Sequence, residues 1–229
     1  MTVAWIALAA GVLAAALATV VARRRRARRA RPIATVSNLQ DATTLDRDTG
    51  AVRSVQAADL VMEERALREI WTPLHLERLA RTYWRFLTRV TLGLIRVRYT
   101  AEERSVVLIG RPLRLLTFRA PEYELDPARG MVRWRIARGL LVARRGRDGG
   151  YLQIEVRRSP TEDPTVARLH VEVEVANFYP SIASGFGRHL YELTQSQIHV
   201  LITHGFLRSL ARLDLAESSV ARLAHSGLM

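Results

Sequence analysis

Between Leu94 and Val175 apolar and polar residues exchange places with a period of two, segment after segment, and few folds accept such a pattern. Ile95, Val97 and Tyr99 alternate with Arg96 and Arg98, and Val132, Trp134 and Ile136 with Arg133 and Arg135. Leu152, Ile154 and Val156 alternate with Gln153, Glu155 and Arg157. Leu169, Val171, Val173 and Val175 alternate with His170, Glu172 and Glu174. Successive side chains of a strand point to opposite faces, so each segment buries one face and wets the other. Ser105 to Gly110 and Leu113 to Arg119 read as further strands, with Leu140 to Arg144 as a short addition. Ala120-Pro121, the Asp126–Gly130 turn, Asp148-Gly149-Gly150 and the loop from Ser159 to Pro164 punctuate them. The expectation is about six antiparallel strands with one apolar face, which a second layer must cover.

Two helices precede the meander. Asp59 can cap one from Leu60 to Trp71. Thr72 can cap another from Pro73 to Thr91, with Pro73 where a missing N–H costs nothing. On this second helix Leu76, Leu79, Ala80, Tyr83, Phe86, Leu87 and Val90 share one side. Arg78, Arg81, Arg85 and Arg89 form a stripe opposite, suited to water or to phosphates. A long final helix, Gly187 to Leu213, is the expected cover for the sheet. Its apolar side runs through Leu190, Ile198, Leu201 and Ile202, then swings to Phe206, Leu210 and Leu213 after Gly205, as at a kink.

The front of the chain is of another kind. Thr2 to Ala22 carries no charge, and a helix of about that length spans a bilayer core of roughly 30 Å. Arg23, Arg24, Arg25, Arg26, Arg28, Arg29 and Arg31 follow, and such a cluster stays cytoplasmic and attracts anionic headgroups. These residues predict a bacterial cell-membrane protein, single-pass, N-terminus outside. Its parts would be an anchor over 1–22, a basic stop-transfer segment and linker over 23–58, a cytoplasmic domain over 59–213 and a tail over 214–229. The linker reads as polar, with one short strand near Ala51 to Val55. Seven units of the net charge of +13 belong to that arginine block. All 35 basic residues are arginine and cysteine is absent, which removes disulfide and thiolate chemistry.

No motif for catalysis, metal or cofactor stands out, and none is expected to bind. His199 and His204 are five apart, off the i, i+4 spacing of a helical zinc pair. Glu172 and Glu174 lie on the polar side of their strand, where pairing with Arg157 or another cross-strand arginine explains them. Gly185-Phe186-Gly187 precedes a helix without a fuller phosphate-binding motif. Tyr83, Trp84 and Phe86 lie among arginines, but they fall on or beside the apolar side, so nucleic acid is not an expected partner.

Helices, a meander of strands, then one long helix: this order resembles the START-like, or polyketide-cyclase-like (SRPBCC), helix-grip superfamily. The last strand, Arg168 to Ala176, the break at Asn177-Phe178-Tyr179-Pro180 and the helix after it carry the likeness, which covers roughly Ala51 to Leu213. The resemblance implies an α+β fold in which a curved antiparallel sheet wraps the final helix around a hydrophobic cavity. It implies a hydrophobic small molecule or lipid as ligand, with Phe118, Trp134 and Tyr191 as lining, although large aromatics such as these are more often plain core. The expected function is therefore a membrane-tethered, non-catalytic binding domain. The alternatives are an adaptor docking on a membrane complex or anionic lipid through its arginines, and a cyclase-type enzyme implied by fold alone.

Overall fold

The computed structural model describes residues 33–108 and 113–179, together with Phe206 and Leu215. Strand β1 (Ala34–Leu45) turns into β2 (Val52–Glu63), followed by helices α1 (Glu64–Ile70) and α2 (Pro73–Val90). Then come β3 (Ile95–Tyr99), β4 (Glu103–Leu108), β5 (Arg114–Arg119), β6 (Glu122–Leu125), β7 (Arg129–Arg138), β8 (Tyr151–Ser159) and β9 (Val166–Phe178). All are antiparallel neighbours in a nine-stranded sheet of order β1-β2-β9-β8-β7-β5-β4-β3, with β6 beside β7.

Strands β5 and β6 share one flank of β7: Phe118 pairs with Ile136, and Glu122 with Arg133. The break falls at Ala120-Pro121, where proline has no N–H for the ladder. The expected turn at Asp126 is present. Its Oδ1 accepts the N–H groups of Ala128 at 2.7 Å and Arg129 at 2.8 Å.

The inner face carries Leu60 and Met62 of β2, Val132, Trp134 and Ile136 of β7, Leu152, Ile154 and Val156 of β8, and Leu169, Val171 and Val173 of β9, all buried. Helix α2 lies in this core through Leu76, Ala80, Tyr83, Trp84 and Phe86. Its N-terminus is capped as expected, Thr72 Oγ1 accepting from the His75 N–H at 3.3 Å.

The outer face is an ionic ladder. Arg129 Nε and Arg157 Nε both donate to Glu155 Oε1, at 2.8 and 2.5 Å, and Gln153 Nε2 donates to Glu155 Oε2 at 2.7 Å. Glu174 accepts from Arg53 Nε at 2.7 Å and from the Tyr151 hydroxyl at 3.0 Å. Glu155 and Glu174 are only 4% and 7% exposed, so they are buried ion-pair members rather than solvated surface. Arg157 accordingly pairs with its strand neighbour Glu155, and Glu174 with Arg53 of β2.

Several expectations are corrected. The sheet has nine strands rather than about six, because 34–63, read as linker and helix start, form β1 and β2. Strand β1 is an edge strand exposed along most of its length, so its polar residues imitate a linker. Strand β2 puts Ser54 and Gln56 on the same side as Leu60 and Met62, which breaks the expected alternation. It runs on to Glu63 because Leu60 and Val61 pair with Leu169 and Arg168 of β9, and the helix expected from Leu60 begins only at Glu64. Leu140 to Arg144 is not a strand, and a short 3-10 turn covers Arg144–Gly146. The final helix expected over Gly187–Leu213 lies outside the described residues except for Phe206, which is helical and fully buried. The described elements are thus a large antiparallel sheet with two short helices, not a sheet on one long C-terminal helix.

The integral-membrane reading and its topology are likewise not supported. Among the described residues no helix is long and apolar enough to cross a membrane, and the expected span, 1–22, with Arg23 to Arg31, lies outside them.

The Glu155 carboxyl is subject to burial, which raises its pKa, but the hydrogen bonds from Arg157 and Arg129 outweigh this and hold it below its ordinary 4.5. A depressed carboxylate stabilises the fold above the unfolded value and loses that contribution as pH falls through the folded one. Glu155→Gln should therefore be less stable than the parent in urea at pH 7, with the gap constant down to 4.5 and closing below it. A gap that persists undiminished at pH 3, a value about one unit below the unfolded carboxylate range, would contradict this account.

Candidate ligand cavity

The break between α1 and α2 opens a space against the inner face of the sheet. Trp71 leaves the helical conformation and Thr72 is extended, so the chain turns sharply before Pro73 starts α2. Trp71 is pinned there by its indole N–H, which donates to the Asp126 carbonyl at 2.8 Å. Leu60 and Met62 of β2, Leu67 and Ile70 of α1, Leu76 and Leu79 of α2, Val156 of β8, Leu169 and Val171 of β9, and Leu215 then surround a partly open cavity of about 80 Å³. Gly130 completes the wall, where a Cβ would come within 3.2 Å of Leu125 Cδ1.

The lining is apolar except at one corner. There the His75 ring lies against Thr72, Nδ1 to Oγ1 at 2.8 Å, with Arg78 Nη1 at 3.4 Å from Nε2. Thr72 Oγ1 also accepts the His75 backbone N–H, and an arginine can only donate to Nε2, so the contacts suit a neutral ring protonated on Nδ1. Burial, and secondarily the charge of Arg78, hold the His75 pKa below its ordinary 6.5.

Phe118 and Trp134, expected as cavity lining, lie elsewhere. Trp84 of α2 packs against both, with ring centroids 5.3 Å from Phe118 and 5.2 Å from Trp134. Tyr83 continues the cluster edge-on to Trp84 at 5.3 Å and to Phe206 at 5.8 Å. This is a closed aromatic core, with Trp134 1% and Phe118 3% exposed. Tyr191 lies outside the described residues. Tyr83, Trp84 and Phe86 are all buried, whereas stacking on bases requires exposed rings.

The arginine stripe of α2 is only partly a water-facing surface. Arg78 flanks the cavity corner, Arg85 is half-buried, and Arg89 is exposed with its guanidinium over the Phe86 ring. Arg81 lies 3.8 Å from Glu77 and over the Tyr99 ring, which Arg104 also covers. Tyr123 stands close by, its phenol pushed up to about 12 by burial and by Glu77. Among the described residues no group of three or more His, Cys, Asp or Glu is placed to hold a metal.

The cavity residues Leu60 and Met62 of β2 are hidden in the sequence, because Asp59 imitates a helix cap just before them. The Thr72-Pro73 cap and the histidine three residues on were the visible signal of the polar corner.

No family model matches the chain, and no curated protein matches it. Among solved structures it is similar to human STARD10, at 11% identity over 76% of this chain and 77% of that one, with a TM-score of 0.25. It is also similar to a putative uncharacterized protein from Rhizobium leguminosarum, at 14% identity over 68% of this chain and 97% of that one, with a TM-score of 0.22.

Two measurements test the site. Trp134→Ala should cost about 3–5 kcal/mol in urea unfolding, as expected for a buried tryptophan with no room to collapse. A loss under about 1 kcal/mol would mean that the aromatic core is not closed. In an NMR titration the His75 ring should ionise below 6.5, and a midpoint at or above that value would contradict the buried neutral ring.

Proposed function

We propose that this domain binds a single-chain hydrophobic small molecule or lipid without transforming it, the apolar chain entering between α1, α2 and the sheet. The observation that carries this reading is the cavity at the α1–α2 break, apolar over most of its wall and polar at the corner formed by Thr72, His75 and Arg78. A solid core would have left nothing to bind. At about 80 Å³ the space is well below the roughly 300–1,000 Å³ of sites that enclose a drug-sized molecule. It therefore seats the end of one alkyl chain, each buried methylene contributing about 0.8 kcal/mol, and admits more only as α1 moves. Helix α1 is suited to that movement, having seven residues of which only Leu67 is buried. The polar corner gives the ligand's head a donor-rich exit. With its ring protonated on Nδ1, His75 donates to Thr72 Oγ1 instead of taking its proton, which favours binding over catalysis.

Solvent extraction of the purified full-length chain, followed by mass spectrometry, should recover an apolar amphiphile. The stripped protein should bind a fluorescent single-chain fatty acid. Val171→Phe, which fills the cavity from the sheet side, should weaken that binding at least about tenfold, a change of roughly 1.4 kcal/mol. Absence of both an extracted ligand and fatty-acid binding would end this reading.

A further inference from the structure

At the other end of α2 from the cavity, the domain displays leucines to solvent. Leu92 is 91% exposed, Leu94 60%, Leu140 57% and Leu113 39%. Backbone pairing brings their connections to the same end of the neighbouring strands β3, β4, β5 and β7. Leu94 leads into Ile95, which is opposite Leu108; the Leu108 N–H donates to the Leu113 carbonyl, and the Leu140 N–H donates to the carbonyl of Arg114. Scattered exposed leucines are ordinary, whereas a cluster brought together from three connections is not.

The most exposed of them is also held in place. Leu92 has φ +51°, a left-handed conformation that costs a branched side chain stability. The surrounding hydrogen bonds impose it. Leu92 N–H donates to Arg89 O at 3.1 Å, Gly93 N–H to Thr88 O at 2.8 Å, and Leu94 N–H to Thr91 O at 2.9 Å. The Ile95 N–H closes the loop on Thr91 Oγ1 at 3.2 Å. A fold that fixes a leucine in water in a strained backbone presents it rigidly.

The same segments carry one sign of charge. Between Thr88 and Arg96, 113 and 118, and 136 and 147 there is no Asp or Glu, while Arg89, Arg96, Arg114 and Arg144 are exposed. Apolar tips set in a cationic collar match an anionic lipid surface: leucines enter the acyl boundary while guanidinium groups stay with phosphates. We propose that this end of the domain is a peripheral docking surface for an anionic bilayer, which requires no spanning helix. The arginine block at 23–31 is a separate source of vesicle binding, so the test must report on the leucines themselves.

The chain has no cysteine, so Leu92→Cys offers a unique attachment point for an environment-sensitive fluorophore. Glu162→Cys, in the exposed loop between β8 and β9, serves as control. The full-length labelled chain is mixed with phosphatidylcholine vesicles with and without about one-third phosphatidylglycerol. The probe at 92 should shift to the blue, and be quenched by brominated acyl chains, on the anionic vesicles only, while the control stays unchanged. Arg89→Ala and Arg96→Ala should each weaken the response about fivefold, and added salt should reduce it. An unshifted probe on vesicles that nevertheless sediment the protein overturns the proposal, as does an equal shift on neutral vesicles. A shift without vesicles that grows with protein concentration overturns it in favour of a second copy of the chain.

Discussion

Strand β2 is hydrogen-bonded to β9, the last of the described strands, along nearly its whole length, from Val52 opposite Phe178 to Glu63 opposite Val166. Everything between them in sequence must leave the sheet beside β9 and return to the same neighbour from the other side. Helices α1 and α2 begin that excursion and pack on the apolar inner face. The six strands β3, β4, β5, β7, β8 and β9 then step back across the sheet one by one. The cost of closing so long a loop grows only slowly with its length, and the buried ladder repays it through hydrophobic contact on one face and ion pairs on the other.

Helix α2 divides the interior into regions of different character. Its first turns border the cavity through Thr72, His75, Leu76 and Leu79. Its middle is sealed by Trp84 against Phe118 and Trp134. Its last turn hands over to the Leu92–Leu94 loop, where apolar groups point outward. On the proposed reading, the sealed middle would let the α1 end adjust around a ligand without loosening the sheet.

The outer face shows how an arginine-rich chain manages a wide antiparallel sheet. Each planar guanidinium can lie along the strands and bond a carboxylate on its own strand or the next, as Arg129 and Arg157 do with Glu155 and Arg53 does with Glu174. Arg133 combines a hydrogen bond to Gln153 with a place over the Tyr151 ring. These contacts bury carboxylates that a strand pattern assigns to water.

How much was legible follows from range. The meander was readable because period-two alternation is local: Trp134, Leu152 and Val173 announce their face from their own neighbours. The Thr72 cap and the Asp126 turn were readable for the same reason, being contacts within three residues. Strand β1 was not, since an edge strand exposed along most of its length shows little pattern, and β2 was not, since Ser54 and Gln56 occupy its inner side. The cavity depended on both. Phe118 and Trp134 are large inward aromatics, but whether such a ring lines a hole or fills it depends on what stands opposite, and Trp84 fills it.

By itself, then, the sequence determined an antiparallel meander between Leu94 and Val175 with one apolar face and an amphipathic helix to set against it, because those periods are written residue by residue. Only the tertiary structure decided that the sheet begins at Ala34, that the empty space lies at the α1–α2 break, and that leucines from three separate connections lie at one end. Each of those results joins residues far apart in the chain, and no local pattern carries the pairing that brings them together.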